Sequence, residues 1–250
     1  MKRAFFLSIL IFAVYRFNGQ TLTINTDLIY KVNLPLKKTD KTPVIILLHG
    51  YGSNEEDLFD ISRSFDERFI TFSLRAPYPA QGKGYSWFAF NFDSGKDYTY
   101  DYKQVKESRN KIYSFISQAC KTYKADSNQV FILGFSQGAI MAYELALVKP
   151  KKLKGIIALS GLMLNETKKI NTDYSKTSHL NFFIAHGNMD NVIAYHYGEE
   201  ATKSLQARKI KVTFKSYEMP HSLTGKELND IKDWLKSNIA KEKKENVKTN

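Results

Sequence analysis

The chain has 250 residues, of which 43% are hydrophobic and 25% charged, and it carries a formal net charge of +12. This supports one sizeable core and excludes a disordered chain. The single cysteine, Cys120, excludes an intrachain disulfide, and the lysine clusters (Lys151-Lys152-Lys154, Lys168-Lys169, Lys241-Lys243-Lys244) lack the interleaved aromatics that stack nucleic-acid bases.

At the N-terminus, Lys2 and Arg3 precede an apolar run over residues 4–15, with polar Asn18-Gly19-Gln20 beyond. That order predicts an export signal over 1–20 and a periplasmic or secreted product. The run is too short to span a bilayer, so no membrane span is expected after its removal. Residues 21–32 read as an edge strand or small hairpin. Val44 to Leu48 is an unbroken apolar run of central-strand type, and Ile70 to Leu74 is a second strand. Residues 102–120 read as a long helix, in which Cys120 is a small core residue. A strand over 130–133 and a helix after Gly138 follow. Further strands are read at 153–160, 182–185 and 212–217. Ile231, Trp234, Leu235 and Ile239 mark one face of a closing helix. Residues 165–180 are polar and without an obvious period, so they read as a flap or plain surface. Residues 241–250 read as a polar, basic tail. Strands alternating with helices predict an α/β fold, a mostly parallel central sheet with helices on both faces, formed by a single catalytic domain over 21–240.

The chemistry gathers at the carboxyl ends of those strands. Gly134-Phe135-Ser136-Gln137-Gly138 stands between a strand and a helix, the setting in which a G-x-S-x-G serine is a nucleophile. The competing reading is a glycine-rich turn with a bystander serine. A serine hydroxyl needs a base, and histidine suits neutral pH. Among His49, His179, His186, His196 and His221, the last follows the final strand by a short loop. The order Ser…Asp…His then selects Asp190, just after the 182–185 strand, to orient the imidazole. Leu48-His49-Gly50-Tyr51-Gly52 stops a strand at a glycine-rich turn. Its Tyr51 N–H, with that of Gln137, is the candidate oxyanion hole. His49 and His186 read as structural supports of their loops. The mechanism needs no cofactor or metal, and neither HExxH nor a Walker lysine is present.

The motifs LLHGYGSNEEDL at 47–58, RAPYP at 75–79, WF at 87–88, GFSQGA at 134–139, ALSG at 158–161, HGNMD at 186–190 and the histidine at 221 give the chain a resemblance. It resembles the phospholipase/carboxylesterase family of α/β-hydrolases, which includes the acyl-protein thioesterases, over roughly residues 42–240. The resemblance implies the α/β-hydrolase fold and a shallow groove for small esters, lysophospholipids or thioesters. Its nucleophile, acid and base fall on Ser136, Asp190 and His221, and its oxyanion donors on Tyr51 and Gln137. Two positions depart from the pattern: Ala89 stands where an aspartate is common, and Pro220 where a glycine is.

From Gly82 through Tyr102 there are eight aromatics, a segment that could wall a substrate groove or pack on itself; Trp87 and Phe88 are its candidate substrate contacts. The expected partner is a small-molecule or lipid ester, and the expected activity a serine esterase working through an acyl-enzyme. A serine peptidase, a feruloyl or acetyl polysaccharide esterase and a lysophospholipase or thioesterase share the same chemistry. A catalytically dead scaffold is the non-enzymatic rival.

Overall fold

A computed structural model describes residues 15–17, 20–37, 39, 41–92, 98–170 and 174–239. Two short strands, Tyr15–Phe17 (β1) and Gln20–Leu22 (β2), pair antiparallel with each other. Tyr30–Asn33 (β3), Val44–Leu48 (β4) and Ile70–Leu74 (β5) follow, with a 3-10 turn at Asp60–Ser64 between the last two. Two small hairpins come next: Tyr78–Pro79 (β6) with Tyr85–Ser86 (β7), and Phe90–Phe92 (β8) with Tyr98–Tyr100 (β9). Then come Tyr102–Tyr123 (α1), Val130–Phe135 (β10), Gln137–Val148 (α2), Gly155–Leu159 (β11), Asn165–Lys169 (α3) and Tyr174–Thr177 (α4). Asn181–Gly187 (β12), His196–Ala207 (α5), Lys211–Tyr217 (β13) and Gly225–Asn238 (α6) complete the order.

Seven strands form the main sheet in the order β13-β12-β11-β10-β4-β5-β3. All its pairings are parallel except that of β3 with β5, which puts the antiparallel strand at an edge. The continuous apolar runs are explained by burial on both faces. Because side chains alternate, each run feeds two cores. Val44, Ile46 and Leu48 join Ile132, Ile156, Phe182 and residues of α1, α2 and α5 on one face. Ile45 and Leu47 join Phe131, Leu133, Ile157, Phe183 and residues of α6 on the other. A one-residue slip in any of these strands would exchange the two cores.

The central strands and the helices α1, α2 and α6 lie where the sequence places them. Asp101 caps α1 by accepting the Lys103 and Gln104 N–H groups at 2.8 and 3.2 Å. Cys120 is buried in α1, and burial pushes its thiol up to about 11. Three elements depart from the sequence reading. The 21–32 stretch, read as an edge strand or hairpin, holds two short separate strands, β2 and β3, and β3 alone takes the sheet edge. Part of the polar 165–180 stretch is helical, with Thr167 and Thr177 buried. Helix α5 has no counterpart, although Gly198, Ala201, Thr202 and Leu205 already trace its buried stripe. Most of the expected leader and the whole of 241–250 lie outside the described residues; within it, the β1–β2 pairing straddles the boundary drawn at residue 20. No helix among the described residues is long and apolar enough to cross a membrane.

Candidate active site

Strand β10 ends at Phe135 and α2 starts at Gln137, so the chain reverses within one residue. Ser136 makes that turn with φ 54° and ψ −116°, a backbone region that side-chain-bearing residues avoid. The flanking glycines are required by contact. A Cβ on Gly134 would stand 2.2 Å from the Gly138 carbonyl oxygen, and one on Gly138 would stand 2.0 Å from that of Leu48. The turn is clamped by the Ser136 N–H to Leu159 O at 2.9 Å. Its hydroxyl makes no capping bond to α2.

The acid and base candidates meet because β12 and β13 are parallel neighbours and their exit loops are stitched together. Asn188 donates its N–H to Tyr217 O at 2.9 Å, and Met189 donates to Met219 O at 3.2 Å. A Cβ on Gly187 would approach Met219 O to 2.2 Å. This contact explains the glycine of His-Gly at that point. His221 Nδ1 donates to Asp190 Oδ2 at 2.7 Å. That bond requires the proton on Nδ1 and leaves the Nε2 lone pair directed away from the acid. The His221 ring lies against Phe135, the residue before Ser136, with centroids 4.8 Å apart.

The Asp190 side chain is wholly buried. Burial by itself raises a carboxyl pKa. Here it is overcome by the neighbouring His186 imidazole and by hydrogen bonds from His221 and from the N–H groups of Ile193 and Val192, so the group is held well below the usual carboxylate range. The Ile193 and Val192 N–H groups both reach Oδ1 at 2.9 Å. His186, read from the sequence as a support of its loop, lies beside the acid. Its Nε2 lies 3.4 Å from Asp190 Oδ2 and 2.8 Å from Ile193 O, so a second imidazole steadies the acid from the buried side.

At the facing loop, the bonds Gly52 N–H to Tyr85 O and Ser53 N–H to Gly50 O shape the turn. Among the described residues, the N–H groups of Tyr51 and Gln137 have no backbone acceptor. His49 is structural, as read. It is buried, with Nδ1 donating to Gly50 O at 2.7 Å and Nε2 accepting the Ala76 N–H at 3.0 Å. Burial lowers its pKa, which suits a neutral ring with both nitrogens engaged. His179 bonds at the opposite end of the sheet, to carbonyls of Pro150 and Leu153, and His196 is exposed at the start of α5.

The expectation that Trp87 and Phe88 touch substrate is corrected. Both are 0% exposed and present no surface to a ligand. Their bonds go to the site's framework. Trp87 Nε1 donates to His49 O at 2.9 Å, and the Trp87 N–H donates to Gln137 Oε1 at 2.8 Å. Gln137 Nε2 in turn donates to Phe88 O at 2.8 Å. The Gln137 side chain thus ties the elbow to the Trp-Phe segment. Sequence reasoning assigned this residue only a backbone role. Ala89 uses its backbone alone, donating to Gln104 Oε1 at 2.6 Å and accepting from Asp101 N–H at 3.0 Å.

With this geometry in view, the chain compares closely with known proteins. The sequence profile described as Phospholipase/Carboxylesterase matches residues 33–239. The chain belongs to the phospholipase/carboxylesterase family. Its fold is the α/β-hydrolase fold, and it is an ester hydrolase of the carboxylesterase and acyl-protein thioesterase type. It is 26% identical to acyl-protein thioesterase 1 of Yarrowia lipolytica over 230 residues, which cover 83% of this chain and 96% of the relative. The crystal structure of the Bacillus cereus carboxylesterase superposes with a TM-score of 0.74 at 24% identity, covering 86% of this chain and 96% of that one. That of Arabidopsis thaliana SOBER1 gives 0.64 at 25% identity, covering 78% and 98%.

Proposed function

We propose that the protein hydrolyses small carboxylic esters and thioesters through Ser136, His221 and Asp190. The observation that carries this reading is the 2.7 Å bond from His221 Nδ1 to Asp190, on an imidazole lying against the residue that precedes a strained serine. Ser136 Oγ attacks the acyl carbon while His221 Nε2 takes the hydroxyl proton. The Tyr51 and Gln137 N–H groups receive the carbonyl oxygen as it becomes negative, helped by the partial positive charge at the start of α2. Asp190 stabilises the imidazolium without taking its proton. Nε2 then protonates the departing alkoxide or thiolate, leaving an acyl-serine. Water attacks that ester, gives a proton to Nε2 and releases the acid, and the proton returns to Ser136.

Hydrolysis of p-nitrophenyl acyl esters, an acyl thioester, a lysophospholipid and a peptide p-nitroanilide tests the reading. The expected result is turnover of the ester and thioester, abolished by Ser136→Ala. Turnover of the anilide alone overturns it.

We also propose that the product is exported. The reading is supported by Lys2-Arg3 with the apolar run behind them, and by a family match that starts only at residue 33. Mass analysis of the N-terminus of the protein purified from its own cells is expected to find a chain that starts near Thr21. An intact leader on the active protein contradicts export.

A further inference from the structure

Serine chemistry calls on the Tyr51 N–H but does not explain what aims it. The loop that carries it lies against the elbow. A Cβ on Gly50 would stand 3.4 Å from Ser136 Cβ, and one on Gly138 would stand 2.9 Å from His49 O. Two of the three residues at the crossing are glycines, and Gly52 turns the chain at φ 78°. The Tyr51 side chain points outward, 40% exposed, with its hydroxyl accepting the Gln81 N–H at 3.0 Å. Side chains of this segment therefore do little to fix its path, and the direction of the N–H is set by what holds the two ends.

Both ends lead to Arg75, just past the end of β5. At the near end, His49 Nε2 accepts the N–H of Ala76, the next residue, at 3.0 Å. At the far end, Tyr85 pairs with the loop through its backbone, accepting the Gly52 N–H at 2.9 Å and donating to Ser53 O at 2.8 Å. The Arg75 guanidinium lies 4.6 Å from the centre of the Tyr85 ring, and its Nη1 donates to the Tyr85 hydroxyl at 3.2 Å. The other two nitrogens grip Glu55, four residues beyond Tyr51. Nε donates to Oε2 and Nη2 to Oε1, each at 2.5 Å, the two-pronged geometry that fixes orientation as well as distance. Glu55 is buried. Burial by itself would raise its carboxyl, but the Arg75 hydrogen bonds outweigh it and hold the group below its ordinary range, so the pair is ionic. Gly50 and Tyr51 are thus strung between two anchored points beside Ser136, and the charges that anchor them cancel, adding no net charge next to a developing oxyanion.

Building on the serine-esterase reading above, we infer that Arg75 and Glu55 are positioning residues for the oxyanion hole: by holding Glu55 and Tyr85 together, the guanidinium fixes the loop that aims the Tyr51 N–H at the carbonyl oxygen. The test measures kcat and KM for p-nitrophenyl butyrate per active site, with sites counted by fluorophosphonate labelling of Ser136 to completion. Arg75→Lys keeps a cation and loses the fork, and Glu55→Gln keeps the shape and loses the charge. Each is expected to lower kcat by roughly ten- to hundredfold, less than removal of a whole oxyanion donor, with KM within about twofold. Inhibition by an alkyl boronic acid, which forms a tetrahedral anion on the serine, is expected to weaken by the same factor. The pH midpoint of kcat/KM, set by His221, is expected to stay in place. A pair that serves folding alone would lower the melting temperature or the number of labelled sites and leave kcat per site unmoved, and that result overturns the inference. A rise in KM alone, or a loss of kcat with boronate affinity intact, overturns it too. Should Glu55→Gln fail to fold, Arg75→Lys and Tyr85→Phe, which removes only the hydroxyl bonded to Arg75, decide the matter by the same readouts. A labelled wild type whose variants keep full kcat rejects only the positioning role, whereas a wild type that turns over the ester without being labelled rejects the serine mechanism and this inference together.

Discussion

The cost of the site is most visible at Ser136. A serine held at φ 54° and ψ −116° carries strain of about 1–3 kcal/mol, because its Cβ crowds the backbone. Glycine at the same position would be free of that crowding, at the expense of a more flexible unfolded chain. Ser136→Gly is therefore expected to raise the thermal midpoint, by an amount corresponding to about 1 kcal/mol, while ester hydrolysis disappears. Thermal unfolding of the variant beside the wild type checks this. A lower midpoint would mean that the elbow stores no strain that glycine can release. The same logic separates legible from illegible residues. Ser136, Asp190 and His221 stand out because each is the required residue type at the end of a strand. Trp87 and Phe88 mislead because an aromatic pair in a loop carries no sign of which way it faces. Only the bonds to His49 and Gln137 place these residues beneath the site.

At the scale of elements, two joints decide how well the loops are held. The first is the side chain of Gln137, which satisfies the Trp87 N–H and the Phe88 carbonyl inside the protein. Gln137→Ala leaves both groups unpaired and is expected to cost roughly 2–4 kcal/mol in denaturant unfolding, although the backbone N–H at 137 survives. A loss below about 0.5 kcal/mol would show that the Trp-Phe segment does not depend on it. The second joint is the start of α6, where Thr224 and Glu227 form a reciprocal capping box. Glu227 is fully buried, and burial, aided by the Asp230 carboxylate, pushes its carboxyl from 4.5 up to about 7 against the pull of the Thr224 N–H. The folded protein thus keeps this proton to higher pH than the unfolded chain does. Stability from this group is greatest below about pH 4.5 and erodes as pH rises towards 7. Glu227→Gln retains the cap and stays neutral. Its melting temperature relative to the wild type is expected to climb between pH 5 and 8, and a constant difference would reject the raised carboxyl. Helix α5 shows why some elements escape sequence reading. Its buried stripe consists of Gly198, Ala201, Thr202 and Leu205, and only one of these is strongly hydrophobic.

Across the whole molecule, a parallel sheet brings distant residues to one edge. Residues 136, 190 and 221 follow three different strands of the same sheet, and two of their loops are joined by backbone bonds. The shared exit end was legible because the apolar runs are long and separated by helices, which makes the strands parallel; their order was not. The β6–β7 and β8–β9 hairpins were not legible as hairpins. Their strands are two or three residues long, too short for alternation to register. The formal net charge of +12 plays no part in the proposed chemistry.

The joint action of Ser136 and His221 can be measured by a double-mutant comparison. Ser136→Ala and His221→Ala are each expected to lower kcat by a thousandfold or more, and the double variant is expected to be no slower than the worse single one, as befits groups that act together. Losses that multiply in the double variant would mean that the imidazole and the hydroxyl work apart, and would contradict the mechanism.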